Sequence, residues 1–298
     1  MQVLIAFDSS AGAEEALALA GAIRWPGGST LRIVTVIEPP VLYMGPQLGG
    51  GSIPPPQIDE DLTAYAREHV SEAAHKLRSE GRTVEGVVLH GRPATALVDE
   101  ATRSGADLVI CGSRGHGQIS SLLLGSVSAE LVDHAPCPVL VARNASIGRI
   151  VFATDGSEAS AAAEALLTTW SIFEGMPVEV VSVADVVEPW HTGIAPTMHA
   201  QVLEAHAKDL ADAKTEHARI TEETVARLRA AGREASTEVR TGDAAAEIIA
   251  ATEESSADLV VVGSRGRTGL ARVFLGSVAR NVLHGSAASV LVVHGPRP

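Results

Sequence analysis

The sequence predicts two tandem α/β domains, each a doubly wound five-stranded parallel sheet of the Rossmann-like kind, and three observations predict it. Short apolar runs alternate with helical stretches, as parallel strands do when crossover helices cover both faces of a sheet. The whole pattern then recurs, 147 residues on at its start and 151 residues on at its end. Finally, each copy carries G-x-x-G-x9-G-S after its fourth apolar run: Gly112, Gly115, Gly125 and Ser126 in one, Gly263, Gly266, Gly276 and Ser277 in the other.

The elements follow in register. First strands over residues 2–8 and 149–155 end in Asp8 and Asp155. Ser10 and Ser157 are expected to cap alanine-rich helices over 13–23 and 159–168, whose small side chains allow close packing on a sheet. Second strands over 31–37 and 178–184 point Val36 and Val183 toward the same sheet edge as the glycines. The Pro/Gly-rich stretches 38–60 and 188–200, with Tyr43, Trp190 and Met198, lack periodicity and read as loops, either lids or surface excursions. Charged helices over 59–79 and 198–230 come next, and in the first of them Leu62, Ala66, Val70, Ala73 and Leu77 form one apolar core stripe. His69, His75, His199, His206 and His217 lie on these solvated helices without an i, i+4 ligand pair, so no metal is assigned to them.

Third strands, 84–89 and 235–240, lead into helices opened by Pro93 or by Asp243-Ala244, and fourth strands, 108–111 and 259–262, end at the glycine motif. Fifth strands, 138–142 and 289–293, close each copy. The domains are accordingly set at 1–144 and 148–295.

Glycines at the carboxyl end of a parallel strand stand where open α/β sheets bind ligands, and they are expected to turn with positive φ and to admit a ligand against the backbone. The serine that follows opens a helix, whose N-terminal N–H groups and partial positive charge suit a phosphate. Asp8 and Asp155 read either as ligand contacts or as caps of the following helices. Arg114 and Arg265 are left unassigned, and His116 in one copy against Arg267 in the other argues against a shared catalytic histidine.

Composition bounds the partners. The 298 residues are 46% hydrophobic and 20% charged, which suits a globular chain with a large core. A formal net charge of −13 argues against nucleic acid or an anionic membrane as a partner. The absence of a spanning apolar run and of a leader-like start gives a cytoplasmic expectation. Cys111 and Cys137 read as small core residues of a reducing compartment.

These residues resemble the universal stress protein family: an aspartate after strand one and G-x-x-G-x9-G-[S/T] after strand four match its ATP-binding subclass, over nearly the whole chain. The resemblance implies an adenine nucleotide α-hydrolase-like fold of strand order 3-2-1-4-5. It further implies ATP or a related adenine nucleotide, with or without Mg²⁺, at the carboxyl edge, and pairing of the two domains through their fifth strands like the homodimer of single-domain members. Gly112, Gly115, Gly125 and Ser126 would then hold ribose and phosphates, with Asp8 beside the nucleotide and Ala6, Val36 and Val127 lining the base pocket. The second set is Gly263, Gly266, Gly276, Ser277, Asp155, Ala153, Val183 and Val278. One departure, Ser289 where the first copy has Pro138, bears on the start of strand five and not on the pocket. Three functions are consistent with this pattern: a nucleotide-responsive stress regulator acting on an unidentified protein partner, a slow ATPase or phosphotransferase, or a chaperone-like protein with vestigial pockets. The regulator is preferred, because neither a Walker lysine nor an S-G-G-x-D-S loop is present. Association of two chains is a further expectation.

Overall fold

In the computed structural model the chain divides into two units, residues 1–146 and 147–298. The structure describes residues 1–38, 56–78, 82–115, 124–185, 196–266 and 275–295, with the side chains of 56–58 and 196–202 outside that description. Tyr43, Trp190, His116 and Arg267 therefore lie outside the described residues.

The first unit runs β1 (Gln2–Ala6), α1 (Ala11–Ala22), β2 (Thr30–Ile37), α2 (Pro56–Leu77), β3 (Thr83–His90), α3 (Pro93–Ser104), β4 (Leu108–Gly112), α4 (Ser126–His134) and β5 (Val139–Ala142). All its strand pairs are parallel, in the order β3-β2-β1-β4-β5. The second unit repeats the plan with β6 (Ile150–Ala153), α5 (Glu158–Thr169), β7 (Val178–Ala184), α6 (Pro196–Ala230), β8 (Ala235–Thr241), α7 (Ala244–Glu254), β9 (Leu259–Gly263), α8 (Ser277–Gly285) and β10 (Ser289–Val293). Its order is β8-β7-β6-β9-β10, again parallel throughout. Both are the 3-2-1-4-5 arrangement, with the direction of winding changing between β1 and β4 and between β6 and β9.

Continuous apolar runs form these strands because both sheet faces are covered: every residue of β4, β5, β6 and β10 is buried. Local chemistry sets the helix starts. Ser10 Oγ accepts the Ala13 N–H at 3.2 Å, and Ser157 Oγ accepts the Ser160 N–H at 3.3 Å. Pro93 opens α3, and Gly105 ends it in the left-handed region at φ 61°. Ser289 in place of Pro138 changes little, since its N–H finds the Asp258 carbonyl at 3.0 Å as β10 begins.

Three expectations need correction. Helices α2 and α6 begin at Pro56 and Pro196, so residues 56–60 and 196–200, Met198 included, are helical and not loop. A proline fits the first helical turn, where its missing N–H has no intrahelical partner to lose. Leu62 is 37% exposed and outside the core stripe that Ala66, Val70, Ala73 and Leu77 do form. Its neighbour Thr63 bonds His90, the last residue of β3, at 3.2 Å, so at Leu62 the helix has run past the sheet edge. His217 is not on a solvated face; its Nδ1 lies 2.6 Å from the buried Ser182 hydroxyl of β7.

Candidate functional site

At the carboxyl edge of each sheet, beside the change of winding, lies one cavity. That of the first unit has a volume of about 550 Å³ and that of the second about 360 Å³, both of the size that small organic ligands occupy. Every residue assigned to a nucleotide site from the sequence lines one of them. Ala6, Asp8, Val36, Gly112, Gly115, Gly125, Ser126 and Val127 line the first. Ala153, Asp155, Val183, Gly263, Gly266, Gly276, Ser277 and Val278 line the second.

The glycines serve different ends. A Cβ on Gly112 would stand 2.3 Å from the carbonyl carbon of Gly12 and 2.9 Å from the Ala13 N, so this glycine exists to let β4 pack against α1. Gly263 is held in the same way, with the Ser160 N at 2.8 Å. A Cβ on Gly115 or Gly266 would instead meet a carboxylate, the Oδ2 of Asp8 or of Asp155, at 2.8 Å. On Gly125 or Gly276 it would find only ordinary van der Waals contacts, the nearest at 3.5 and 3.4 Å, so packing within the fold does not demand glycine there. The expected positive φ is absent from all six; the close approach of backbone to its surroundings explains these glycines, and left-handed turning does not.

The turn is built from the backbone. The Gly125 N–H donates to the Ser113 carbonyl at 2.9 Å, and Gly276 to Ser264 at 2.8 Å, which brings each helix start back beside the strand end. Ser10 Oγ lies 3.2 Å from the Arg114 carbonyl, and Ser157 Oγ 3.1 Å from that of Arg265. Gly125 and Gly276 then stand as N-caps in extended conformation with no side-chain cap bond. The first-turn N–H groups of α4 and α8 thus face the cavity region without a capping side chain, beside the exposed Ser126 and Ser277. This is an arrangement suited to an oxyanion.

Asp8 and Asp155 combine the two roles weighed for them. One oxygen of each, Oδ1, accepts the N–H of the capping serine at 3.0 Å, while the carboxylate also borders the cavity. Cations share this edge. Arg114 and Arg265 line the cavities, and burial holds the Arg143 guanidinium below its ordinary value, with repulsion from Arg114 acting the same way. Cys111, on the first cavity wall, is buried, and that burial pushes its thiol up to about 12 against the opposing effects of a Ser128 hydrogen bond and the Arg143 charge. Both cysteines are buried and unbridged. Among the described residues no group of three or more His, Cys, Asp or Glu side chains could hold a metal ion.

Sequence reasoning missed several walls. Val34 and Leu97 line the first cavity, with Val181 and Ile248 at the matching places of the second. Val34 and Val36 alternate onto one sheet face, a signal available in the sequence. Leu97 sits in the same apolar helix stripe as the buried Ala94 and Ala101, and nothing in the sequence separates a cavity wall from core there.

The profile of the universal stress protein family matches residues 1–143 and again residues 146–294. The chain belongs to the universal stress protein family. A universal stress protein of Thermus aquaticus is 37% identical over 147 residues, covering 47% of this chain and 97% of its own. One from Mycobacterium tuberculosis is 29% identical over 252 residues, 79% of this chain and 75% of its own. Among solved structures, a universal stress protein from Archaeoglobus fulgidus superposes with a TM-score of 0.69 at 20% identity, covering 99% of this chain and 96% of that one. A putative universal stress protein from Pseudomonas aeruginosa gives 0.57 at 19% identity, covering 99% and 93%. At such identities these structures speak for the fold, which they share with both units of this universal stress protein. No described helix is long and apolar enough to cross a membrane.

Proposed function

We propose that each unit binds one adenine nucleotide, ATP or a close relative, and that occupancy is the signal this protein carries in a stress response. One observation carries the reading: twice in the chain, an uncapped helix N-terminus and a glycine turn face an apolar cavity at the point where the winding of the sheet changes. The apolar walls, Val34, Val36 and Leu97 or Val181, Val183 and Ile248, suit the faces of a purine ring, and the helix amides suit its phosphates. Mg²⁺, where present, would be held by the phosphates with Asp8 or Asp155 as a protein ligand. The reading is of binding and not of turnover, because the ionisable side chains along the described walls reduce to Asp8, Cys111 and Arg114 in one cavity and Asp155 and Arg265 in the other.

The test is mass spectrometry of small molecules released on denaturing freshly purified protein, followed by calorimetric titration of the stripped protein with ATP. About two adenine nucleotides per chain, or a titration with two equivalents, is the expected result. No released nucleotide, no heat and no thermal shift with ATP would reject it and favour an interaction protein.

A further inference from the structure

The two units differ in what stands behind the aspartate. In the second, Ser182 of β7 places its hydroxyl 2.5 Å from the Thr154 carbonyl and 2.6 Å from His217 Nδ1 on α6. Thr154 lines the cavity, and its carbonyl belongs to the peptide that joins it to Asp155. In the first unit Thr35 takes the place of Ser182 and donates to the Phe7 carbonyl at 2.6 Å. There, at the 151-residue offset that also matches Val70 with Thr221 and Leu77 with Leu228, the place of His217 belongs to Ala66. A methyl group stands in one unit where an imidazole stands in the other.

A serine hydroxyl has one hydrogen to give. Ser182 has two acceptors within reach of it whenever Nδ1 is unprotonated, and one when Nδ1 carries a proton. We infer that His217 is a positioning residue that makes the second site proton-responsive. As the imidazolium, His217 donates through Nδ1–H to Ser182 Oγ, and the hydroxyl is committed to the Thr154 carbonyl, fixing the peptide that orients Asp155. As the neutral ring with Nδ1 free, it takes the hydroxyl hydrogen, and that carbonyl loses its side-chain donor. Strand alternation and register place Val180, Ser182 and Ala184 of β7 with Thr237, Val239 and Thr241 of β8 on the sheet face that α6 covers, and none of these carries a charge. Along α6 the nearest ionisable side chains are Lys214, Glu216 and Arg219; the neighbouring α5 carries Glu158 and Glu164, the latter bonded to Thr224 and Arg227 of α6, and Asp155 precedes it.

The inference rests on the nucleotide reading, and its test separates the two. ATP is titrated into Gly115→Val, which retains the second site, and into Gly266→Val, which retains the first, between pH 5.5 and 8.5. In the first variant affinity should rise about threefold to tenfold as pH falls, relative to the second variant, the worth of one carbonyl hydrogen bond. Adding His217→Ala, the residue the first unit already uses, or Ser182→Ala should remove that difference, and Ser182→Thr should keep it. The ¹³C′ shift of Thr154 followed through the NMR titration of the His217 ring reads the same contact without nucleotide. A Thr154 shift that ignores the His217 titration overturns the inference even if both cavities bind ATP. Equal pH profiles at the two sites overturn it as well, whereas failure of both sites to take ATP, with the Thr154 shift still tracking His217, rejects the nucleotide reading alone.

Discussion

At the scale of single residues, the glycine turn separates fold from binding. Valine at Gly115 or Gly266 meets the tip of a carboxylate side chain and not backbone, so the unit should fold while its turn and its Asp8 or Asp155 are displaced from the ligand space. Valine at Gly112 or Gly263 meets helix backbone below 3.0 Å and has nowhere to go. The expected outcome is loss of one ATP equivalent with a near-native melting curve for the first pair, and destabilisation by about 1–3 kcal/mol or more for the second pair, as for overpacked cores. Calorimetry and chemical denaturation distinguish them. Cys111 supplies a pH prediction. Burial raises its thiol from 9.0 to about 12, so the folded state prefers the neutral form. That preference is fully present below pH 9 and is lost as pH rises toward 12. Relative to Cys111→Val, which copies Val262, the parent should lose up to about 1.4 kcal/mol of stability per pH unit in that window, read from urea unfolding between pH 8 and 10.5.

At the scale of elements, the capping serines tie helix starts to the ligand turn. Ser10 Oγ accepts from Ala13 N and stands 3.2 Å from the Arg114 carbonyl, so one hydroxyl holds both α1 and the glycine loop. Ser10→Ala should cost about 1–2 kcal/mol of stability and weaken ATP binding in the first unit, with Ser157→Ala acting alike in the second; unfolding curves and titrations on single-site variants measure both. Much of this was legible in the sequence, because strands covered on both faces leave unbroken apolar runs and because the repeat aligned Asp8 with Asp155 and Gly115 with Gly266. The role of Gly112 was not, since its constraint is the backbone of Gly12, about 100 residues away in the chain. Nor was the half-buried position of His217. On a helix rich in charge it reads as solvated, and only the register of β7 beneath α6 shows that it reaches Ser182. The starts of α2 and α6 were hidden by prolines that serve equally well as loop residues and as first-turn residues.

At the scale of the whole molecule, two cavities with separate walls, one in each unit, make ligand stabilisation a counting experiment. A ligand that binds only the folded state contributes RT ln(1 + [L]/Kd) per site, about 2.7 kcal/mol at a hundredfold excess over Kd. No described residue lines both cavities, and effects at sites that share no partners add. The parent should therefore bind two equivalents, Gly115→Val and Gly266→Val one each, and the double variant none, with the thermal shift by ATP falling stepwise and vanishing in the double variant. Differential scanning calorimetry at fixed ATP, paired with titration stoichiometry, checks this. A double variant that still shifts would place the nucleotide elsewhere, and a single variant that loses both equivalents would show that one site cannot fill without the other. Because the walls differ at Cys111 and Val262, at Ser128 and Ala279, and at Leu97 and Ile248, the two steps should differ in affinity, and the titration should resolve into two unequal phases.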